Sequence, residues 1–177
     1  MLKELPRIAG EILDSNPWWQ YRRDTYRLPS GEEGVYYFVR TPGSVMVIPV
    51  TDDGRLAICR QYRYLNQRSS LEFPGGGVKT GTIPEEAAAK ELEEESGFKA
   101  DSLRAIGTFN PMNGVTDELC SVFIATGLKP VPPKPDITEE FEVLLLSMDE
   151  IREAISNGTL WDGMTLAALA LYTTSKF

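Results

Sequence analysis

The sequence of 177 residues contains no histidine. Histidine is the side chain that most often takes up and releases protons near neutral pH. A general base in this protein must therefore be Glu, Asp, Lys, Tyr or a hydroxide bound to a metal ion.

Cysteines and long apolar runs are also scarce. Cys59 and Cys120 lie far apart, each in an apolar run typical of a strand, which favours buried thiols over a disulfide or a metal site. The N-terminus lacks the apolar segment of a signal peptide, and no apolar run reaches the roughly eighteen residues of a membrane span. We therefore expect a cytoplasmic protein that does not bind membranes.

Acidic residues outnumber basic ones, with a net charge of −8 and a pI near 4.7. Proteins that grip a long nucleic acid backbone do so with clustered Lys and Arg, so no nucleic acid partner is expected. A small anionic substrate remains compatible with this charge if a metal ion and a few arginines reverse the local field.

Residues 71–98, LEFPGGGVKTGTIPEEAAAKELEEESGF, organise the rest of the chain. Three glycines after Pro74 predict a tight turn or a close approach of backbone. A helix of about four turns should follow, since Pro84 suits its first turn and Gly97 its end. The spacing of Thr82 and Glu85 is that of a capping box, which predicts Thr82 as the N-cap.

Glu91, Glu94 and Glu95 fall on one face of this predicted helix. Like charges at these spacings repel, and they oppose the helix dipole near the C-terminus. A hard divalent cation such as Mg²⁺ or Mn²⁺ would relieve that repulsion. The alternative is an ordinary charged helix face in contact with solvent.

The rest of the chain alternates strands and helices. A β-hairpin or small meander is predicted around residues 28–31, and a hairpin turn at 52–54 is predicted to join two further strands. Prolines exclude regular structure from 129–138. The other predicted strands cover 45–50, 56–64, 71–73, 103–109, 120–128 and 141–147, and the helices after the first cover 149–156 and 161–174. This order predicts an α/β fold, an α/β/α sandwich with a mixed sheet, preceded by a small β-subdomain.

The central stretch resembles the Nudix box, which runs from a glycine, here Gly76, to Arg-Glu-apolar-x-Glu-Glu-x-Gly-apolar. Residues 90–98, KELEEESGF, correspond to its end. The sequence departs from the box at Thr82, where the family has Glu, and at Lys90, where it has Arg. Lysine keeps the positive charge but lacks the bidentate guanidinium fork.

The resemblance extends to the branch of the family typified by ADP-ribose pyrophosphatases. The matching stretches are 61-QYRY-64, 71-LEFPGGG-77, 114-GVTDELCSVFIATGL-128 and 157-NGTLWDGMTLAALAL-171. It implies the same sandwich as a Nudix domain over 44–177. It also implies that residues 1–43 form the β-subdomain, which in that branch commonly swaps across a homodimer and contacts the nucleobase.

The resemblance also implies site residues. Glu91 and Glu95 would bind the metal ion. Glu94 would be a third ligand or a catalytic residue that orients the other two, and the backbone carbonyl of Gly75 or Gly76 would complete the site. The water-activating base would be Glu139 or, as the second choice, Glu140, in the loop before the last strand. The alternative for these two is an exposed acidic strand entry.

Substrate contacts follow from the same comparison. Arg63 would contact the diphosphate, or else make a salt bridge on the strand surface, and Glu72 belongs to the same substrate-binding set. Trp18 and Tyr36 align with aromatics that stack on the nucleobase, although Trp19 is an alternative stacker and such aromatics often form a hairpin's own small core. Asn113 replaces a proline common in ADP-ribose pyrophosphatases and could donate a hydrogen bond.

The expected activity is metal-dependent hydrolysis of nucleoside diphosphate sugars, including ADP-ribose, to a nucleoside monophosphate and a sugar phosphate. One alternative is a Nudix hydrolase of nucleoside triphosphates or dinucleoside polyphosphates. The other is a catalytically weak sensor that binds nucleotide sugars.

Overall fold

The computed structural model describes residues 3–132 and 140–175, which fall into two compact units. The first unit contains the chain up to Gly43 together with Asn110–Leu119. The second contains Ser44–Phe109 and the chain from Cys120 onward. Residues 110–119 therefore cluster with the N-terminal strands, although the sequence-based boundary assigned them to the second domain.

The first unit is a three-stranded antiparallel meander in the order β1-β2-β3. Its strands are β1 Arg7–Ser15, β2 Gln20–Arg27 and β3 Glu33–Arg40. The turn between β2 and β3 is closed by the Gly31 N–H, which donates to the Leu28 carbonyl. The structure thus decides for the meander over the single hairpin.

Two sheets and three helices form the second unit. A mixed sheet has the order β7-β4-β10-β9, and an antiparallel sheet has the order β12-β5-β6. The elements are β4 Ser44–Pro49, β5 Leu56–Arg63, β6 Arg68–Glu72, β7 Gly75–Gly77, α1 Pro84–Ser96, β8 Phe98–Lys99, β9 Ser102–Phe109, β10 Cys120–Thr126, β11 Lys129–Pro130, β12 Glu142–Leu146, α2 Met148–Ser156 and α3 Gly163–Thr174.

Alternating side chains of β4 face two separate cores. Val45 and Val47 pack in a cluster with Ala88 and Leu92 of α1. Met46 and Ile48 belong to a second cluster, to which α2 contributes Ile151 and Ala154 and α3 contributes Ala168 and Leu169. Because the side chains of a strand alternate between its faces, this arrangement places helices on both sides of the sheet. The predicted α/β/α sandwich is confirmed.

The predicted hairpin at 52–54 is wrong as a strand pairing. The turn itself forms, since the Thr51 N–H donates to the Arg55 carbonyl over 2.9 Å. Beyond a single bridge between Val50 and Leu56, however, the two strands enter different sheets. Each has a neighbour on both edges, β7 and β10 for β4 and β12 and β6 for β5, so neither has an edge left for the other.

Residues 129–138 are more regular at their start than predicted. Lys129–Pro130 forms β11, which pairs with Phe98–Lys99. Proline is tolerated there because the ladder is two residues long and lies at an edge. Residues 133–138 of that segment lie outside the described part of the chain. Within the ranges that the structure describes, no helix is both long and apolar enough to cross a membrane.

Candidate active site

A strand of three glycines runs beside helix α1. β7 pairs antiparallel with β4, where Gly75 lies opposite Met46 and Gly76 opposite Val45. A Cβ atom on Gly75 would approach the Val45 carbonyl oxygen to 2.5 Å. One on Gly76 would approach the Glu91 carboxylate carbon to 2.8 Å. Backbone contact therefore requires glycine at position 75, whereas a side chain at position 76 would displace the carboxylate of Glu91. The glycine strand lies directly against these glutamates of α1.

Helix α1 holds its glutamates in different environments. Glu95 is buried, and its Oε2 accepts a hydrogen bond of 2.8 Å from the Gly75 N–H. The carboxylate of Glu91 lies against Gly76. Glu94 is more exposed and forms an ion pair with Lys90, one helical turn earlier. Lys90 therefore supports a box carboxylate even though it lacks the guanidinium fork of arginine.

Thr82 does not cap this helix, so that prediction is wrong. The N-cap is Ile83, with φ −79° and ψ 147°, and no side chain caps the first turn. A residue before proline is driven into the extended region, so Pro84 makes Ile83 the last non-helical residue and leaves Thr82 one position too early. The predicted end is confirmed, since Gly97 adopts a left-handed φ of 67°.

Arg63 and Glu72 form an ion pair on one face of the β5–β6 ladder. The Arg63 Nε lies 3.0 and 3.2 Å from the two carboxylate oxygens of Glu72, and Nη2 also contacts Oε2. The Glu72 side chain is only 6% exposed, while that of Arg63 is 48% exposed. Hydrogen bonding to Glu72 raises the pKa of the Arg63 guanidinium, with Asp162 and Glu95 adding to the effect through their charges. Glu72 thus holds a half-exposed cation within electrostatic reach of α1.

Replacing Arg63 with alanine is expected to destabilise the protein, because Glu72 would remain buried without this partner. Breaking a fully buried pair costs about 3–5 kcal/mol and an exposed one about 0–1, so this half-buried pair should cost about 2 kcal/mol in the free energy of unfolding. Urea denaturation measures it. Arg60→Ala is the matched control, since Arg60 lies on the same strand and its partner Glu142 is exposed. Equal losses for the two variants would contradict the prediction.

Both cysteines are buried and free, as predicted. The Cys59 Sγ lies 3.5 Å from the Glu95 carbonyl oxygen. Burial raises the pKa of the Cys59 thiol, and the charges of Glu95 and Glu72 raise it further. The thiol therefore stays protonated and is unsuited to act as a nucleophile.

Three predicted substrate residues lie in the first unit. Trp18 is 74% exposed in the β1–β2 turn, so it is not part of a buried aromatic core. The Tyr36 hydroxyl donates a hydrogen bond of 3.0 Å to the Gly114 carbonyl. Asn113 is exposed in the neighbouring turn. No local signal around Tyr36 predicts that its hydroxyl would hold the segment that contains Asn113, because the two positions are far apart in the chain.

Residues 110–119 are fixed to β3 by further contacts. The Val39 N–H donates to the Val115 carbonyl over 2.8 Å, and Val39 bridges Thr116 in parallel. Arg40 and Asp117 form an ion pair of 2.7 Å. The segment is irregular, yet β3 anchors its residues 114–117.

The two candidate bases, Glu139 and Glu140, precede β12 in the sequence. Glu139 lies outside the described residues. Glu140 is exposed two residues before β12 begins. Both roles stay predictions.

The oxygen donors beside α1 suit a divalent cation. No three acidic or cysteine side chains among residues 3–132 and 140–175 are grouped as a ready metal centre. The chemistry still fits, because the Glu91 carboxylate occupies the space that a Cβ of Gly76 would fill and Glu95 is held beside the same backbone. Carboxylate and backbone oxygens are the ligands that Mg²⁺ and Mn²⁺ prefer.

Comparison with known proteins finds relatives along most of the chain. The ADP-ribose pyrophosphatase of Bacillus subtilis is 32% identical over 164 residues, which cover 92% of this chain and 85% of the relative. The methanol dehydrogenase activator of Bacillus methanolicus is 29% identical over 170 residues, or 95% and 92% of the two chains. The ADP-ribose pyrophosphatase of Mycobacterium tuberculosis is 30% identical over 148 residues, or 83% and 71%.

Solved structures and family profiles agree with these relatives. A crystal structure of an ADP compounds hydrolase matches with a TM-score of 0.83 at 21% identity, over 98% of this chain and 94% of the other, which supports the fold. The NUDIX domain profile matches residues 40–167. With the box glutamates set against the glycine strand, these matches establish that the chain belongs to the Nudix hydrolase family.

Proposed function

We propose that this protein hydrolyses the diphosphate bond of nucleoside diphosphate sugars, ADP-ribose among them. Water would attack one phosphorus, the bridging P–O bond would break, and a nucleoside monophosphate and a sugar phosphate would leave. The observation that carries the proposal is the set of box carboxylates, Glu91 and Glu95, held against the glycine strand. Relatives named ADP-ribose pyrophosphatase at about 30% identity over most of the chain support the substrate class.

Nudix hydrolases generally depend on a divalent metal ion, and we assign Mg²⁺, with Mn²⁺ as the alternative. Glu91, Glu95 and the carbonyl of Gly75 or Gly76 would hold it, and Glu94 would be a further ligand or support the other two. When bound, the ion would neutralise diphosphate charge and favour ionisation of water. The hydrogen bond from Gly75 to Glu95 fixes one carboxylate before any metal arrives.

The remaining residues bind and orient the substrate. The ion pair with Glu72 holds the guanidinium of Arg63 in position, and the side chain of Arg63 is half exposed. A guanidinium held in this way suits bidentate contact with a phosphate. Both carboxylate oxygens of Glu72 accept hydrogen bonds from Arg63. Glu72 would therefore contribute to substrate binding by orienting that arginine. Glu139 or Glu140 would take the proton from the attacking water, since histidine is absent.

Residues 1–43 would supply the nucleobase contacts and a homodimer interface, as the family resemblance implies. Exposure of Trp18 supports a stacking role for that side chain. For Tyr36, the hydrogen bond to Gly114 supports a role in holding the turn that contains Asn113. The cytoplasmic location rests on the sequence and stays a prediction.

The activity is tested by incubating the protein with Mg²⁺ and ADP-ribose, ADP-glucose, GDP-mannose or a nucleoside triphosphate. A phosphatase that does not act on intact diphosphate bonds then removes the phosphate group from the phosphomonoester products, and the inorganic phosphate is measured. We expect the diphosphate bond of all three nucleotide sugars to be hydrolysed, and we expect EDTA to abolish the reaction. Because a phosphatase also removes phosphates from a nucleoside triphosphate, that arm is followed by chromatography of the nucleotide products.

Each other outcome has a definite meaning. Exclusive use of ADP-ribose would contradict the broad range, and preferential cleavage of the triphosphate would favour the alternative hydrolase. Binding of ADP-ribose without any phosphomonoester product would favour the sensor.

A further inference from the structure

Strand β6 is the edge strand of its sheet, yet its free edge is covered by the segment before and at the start of α3. The Trp161 Nε1 donates to the Ser69 carbonyl over 2.9 Å, and the Leu71 N–H donates to the Thr159 carbonyl over 3.3 Å. The Phe73 N–H donates to the Thr165 Oγ1 over 3.2 Å. Ser69, Leu71 and Phe73 alternate along the chain, so these backbone groups share the edge that faces away from β5.

Thr165 is the most deeply buried of the residues that cover this edge. It is 0% exposed, and Phe73 is 3% exposed, so the hydrogen bond between them is buried. A buried N–H group that loses its partner is costly, which makes the hydroxyl of Thr165 structurally required. The position of Thr165 is itself fixed, because its own N–H donates to the capping carboxylate of Asp162 over 2.6 Å.

The Phe73 peptide lies where the chain passes from one sheet to the other. On its N-terminal side Glu72 holds Arg63. On its C-terminal side the Pro74 carbonyl accepts from the Val47 N–H over 2.8 Å, and the Gly75 N–H donates to Glu95. A displacement of Phe73 would therefore move the phosphate-binding pair and the glycine strand together.

We propose that Thr165 is a positioning residue that sets residues 72–75 for metal and diphosphate binding. The role of residues 72–75 in metal and diphosphate binding rests on the proposed function. The way in which Thr165 holds these residues rests on the contacts described above. Residues that support metal ligands without touching the metal typically change affinity or activity by 10–100-fold when replaced. Thr165 is not among the residues assigned to metal or substrate, and it would act through Phe73.

The test compares Thr165→Val, which keeps the shape and removes the hydroxyl, with Thr165→Ser, which keeps the hydroxyl. Thr174→Val is the control, since Thr174 lies on the same helix and bonds only to carbonyls of its own helix in the contacts described. Three quantities are measured: Mn²⁺ affinity by electron paramagnetic resonance without substrate, hydrogen exchange of the Phe73 and Gly75 amides, and the half-saturating Mg²⁺ concentration in ADP-ribose hydrolysis.

We expect Thr165→Val to weaken Mn²⁺ binding and raise the half-saturating Mg²⁺ about tenfold. Exchange at Phe73 and Gly75 should accelerate, while the serine variant and Thr174→Val should match the wild type. If Thr165→Val does not fold, the same three measurements on Thr165→Ala and Thr165→Ser give the effect of removing the hydroxyl.

A lower melting temperature with unchanged Mn²⁺ affinity and unchanged Gly75 exchange would overturn the proposal, because the role would then be purely structural. Absence of hydrolysis by the wild type would count against the proposed function alone. The substrate-free Mn²⁺ and exchange measurements would still decide the role of Thr165.

Discussion

Replacing Glu95 with glutamine is expected to lower kcat by about 10³-fold, because the loss of several kcal/mol of metal-dependent stabilisation corresponds to a factor of about ten for each 1.4 kcal/mol. Glutamine preserves the size of the side chain, and its amide oxygen can still accept the hydrogen bond from Gly75. The change therefore removes charge at a buried carboxylate while leaving the glycine strand in place. Steady-state hydrolysis of ADP-ribose at saturating Mg²⁺ measures the effect.

Glu93→Gln is the matched control for Glu95. Glu93 lies on the same helix, but its side chain is 44% exposed and its carboxylate is 3.8 Å from the Lys99 ammonium. Its replacement should leave kcat within about twofold, since exposed ion pairs contribute about 0–1 kcal/mol. If Glu95→Gln retained near wild-type kcat with unchanged Mg²⁺ dependence, Glu95 would not be a metal ligand.

Replacing Glu139 and Glu140 together with glutamine is expected to lower kcat by about 10³-fold, within the range for loss of a general base. The chain has no histidine that could take over the proton. Metal affinity should be unchanged, because the box glutamates are intact. Hydrolysis of ADP-ribose and Mn²⁺ titration of the same sample separate the two effects.

The single variants then decide between the two glutamates, and the one that reproduces the double loss is the base. Glu142→Gln is the control, since Glu142 lies on β12 and pairs with Arg60 at the surface. Near-normal turnover of the double variant with intact metal binding would remove both residues from the mechanism.

Local signals predicted the elements around the site well. Pro84 and Gly97 bound α1 as expected, because proline favours a helix start and a glycine with positive φ ends one. The six predicted strands of the second unit and its other two helices were also located to within a few residues by their apolar patterns, whereas the short strands β7, β8 and β11 were not predicted. The error at Thr82 was a conflict between two local rules, in which the constraint of Pro84 on Ile83 prevailed over the capping motif.

Tertiary pairing was beyond such signals. Arg63 and Glu72 meet because their strands are in register on one face, and nothing in the local sequence identifies that register. The separation of β4 and β5 into two sheets depends on which distant strands occupy their edges. Likewise, the hydroxyl of Thr165 reaches Phe73 across 92 positions of the chain.

The membership of residues 110–119 in the first unit has a consequence for exchanging parts between relatives. Val39, Tyr36 and Arg40 each contact this segment, so it and the meander have to change in concert to remain compatible. A chimera that imports residues 1–43 from a relative would set a foreign sheet against the resident 110–119. Importing both stretches transfers an intact unit, although they are separated by 66 positions of the second unit.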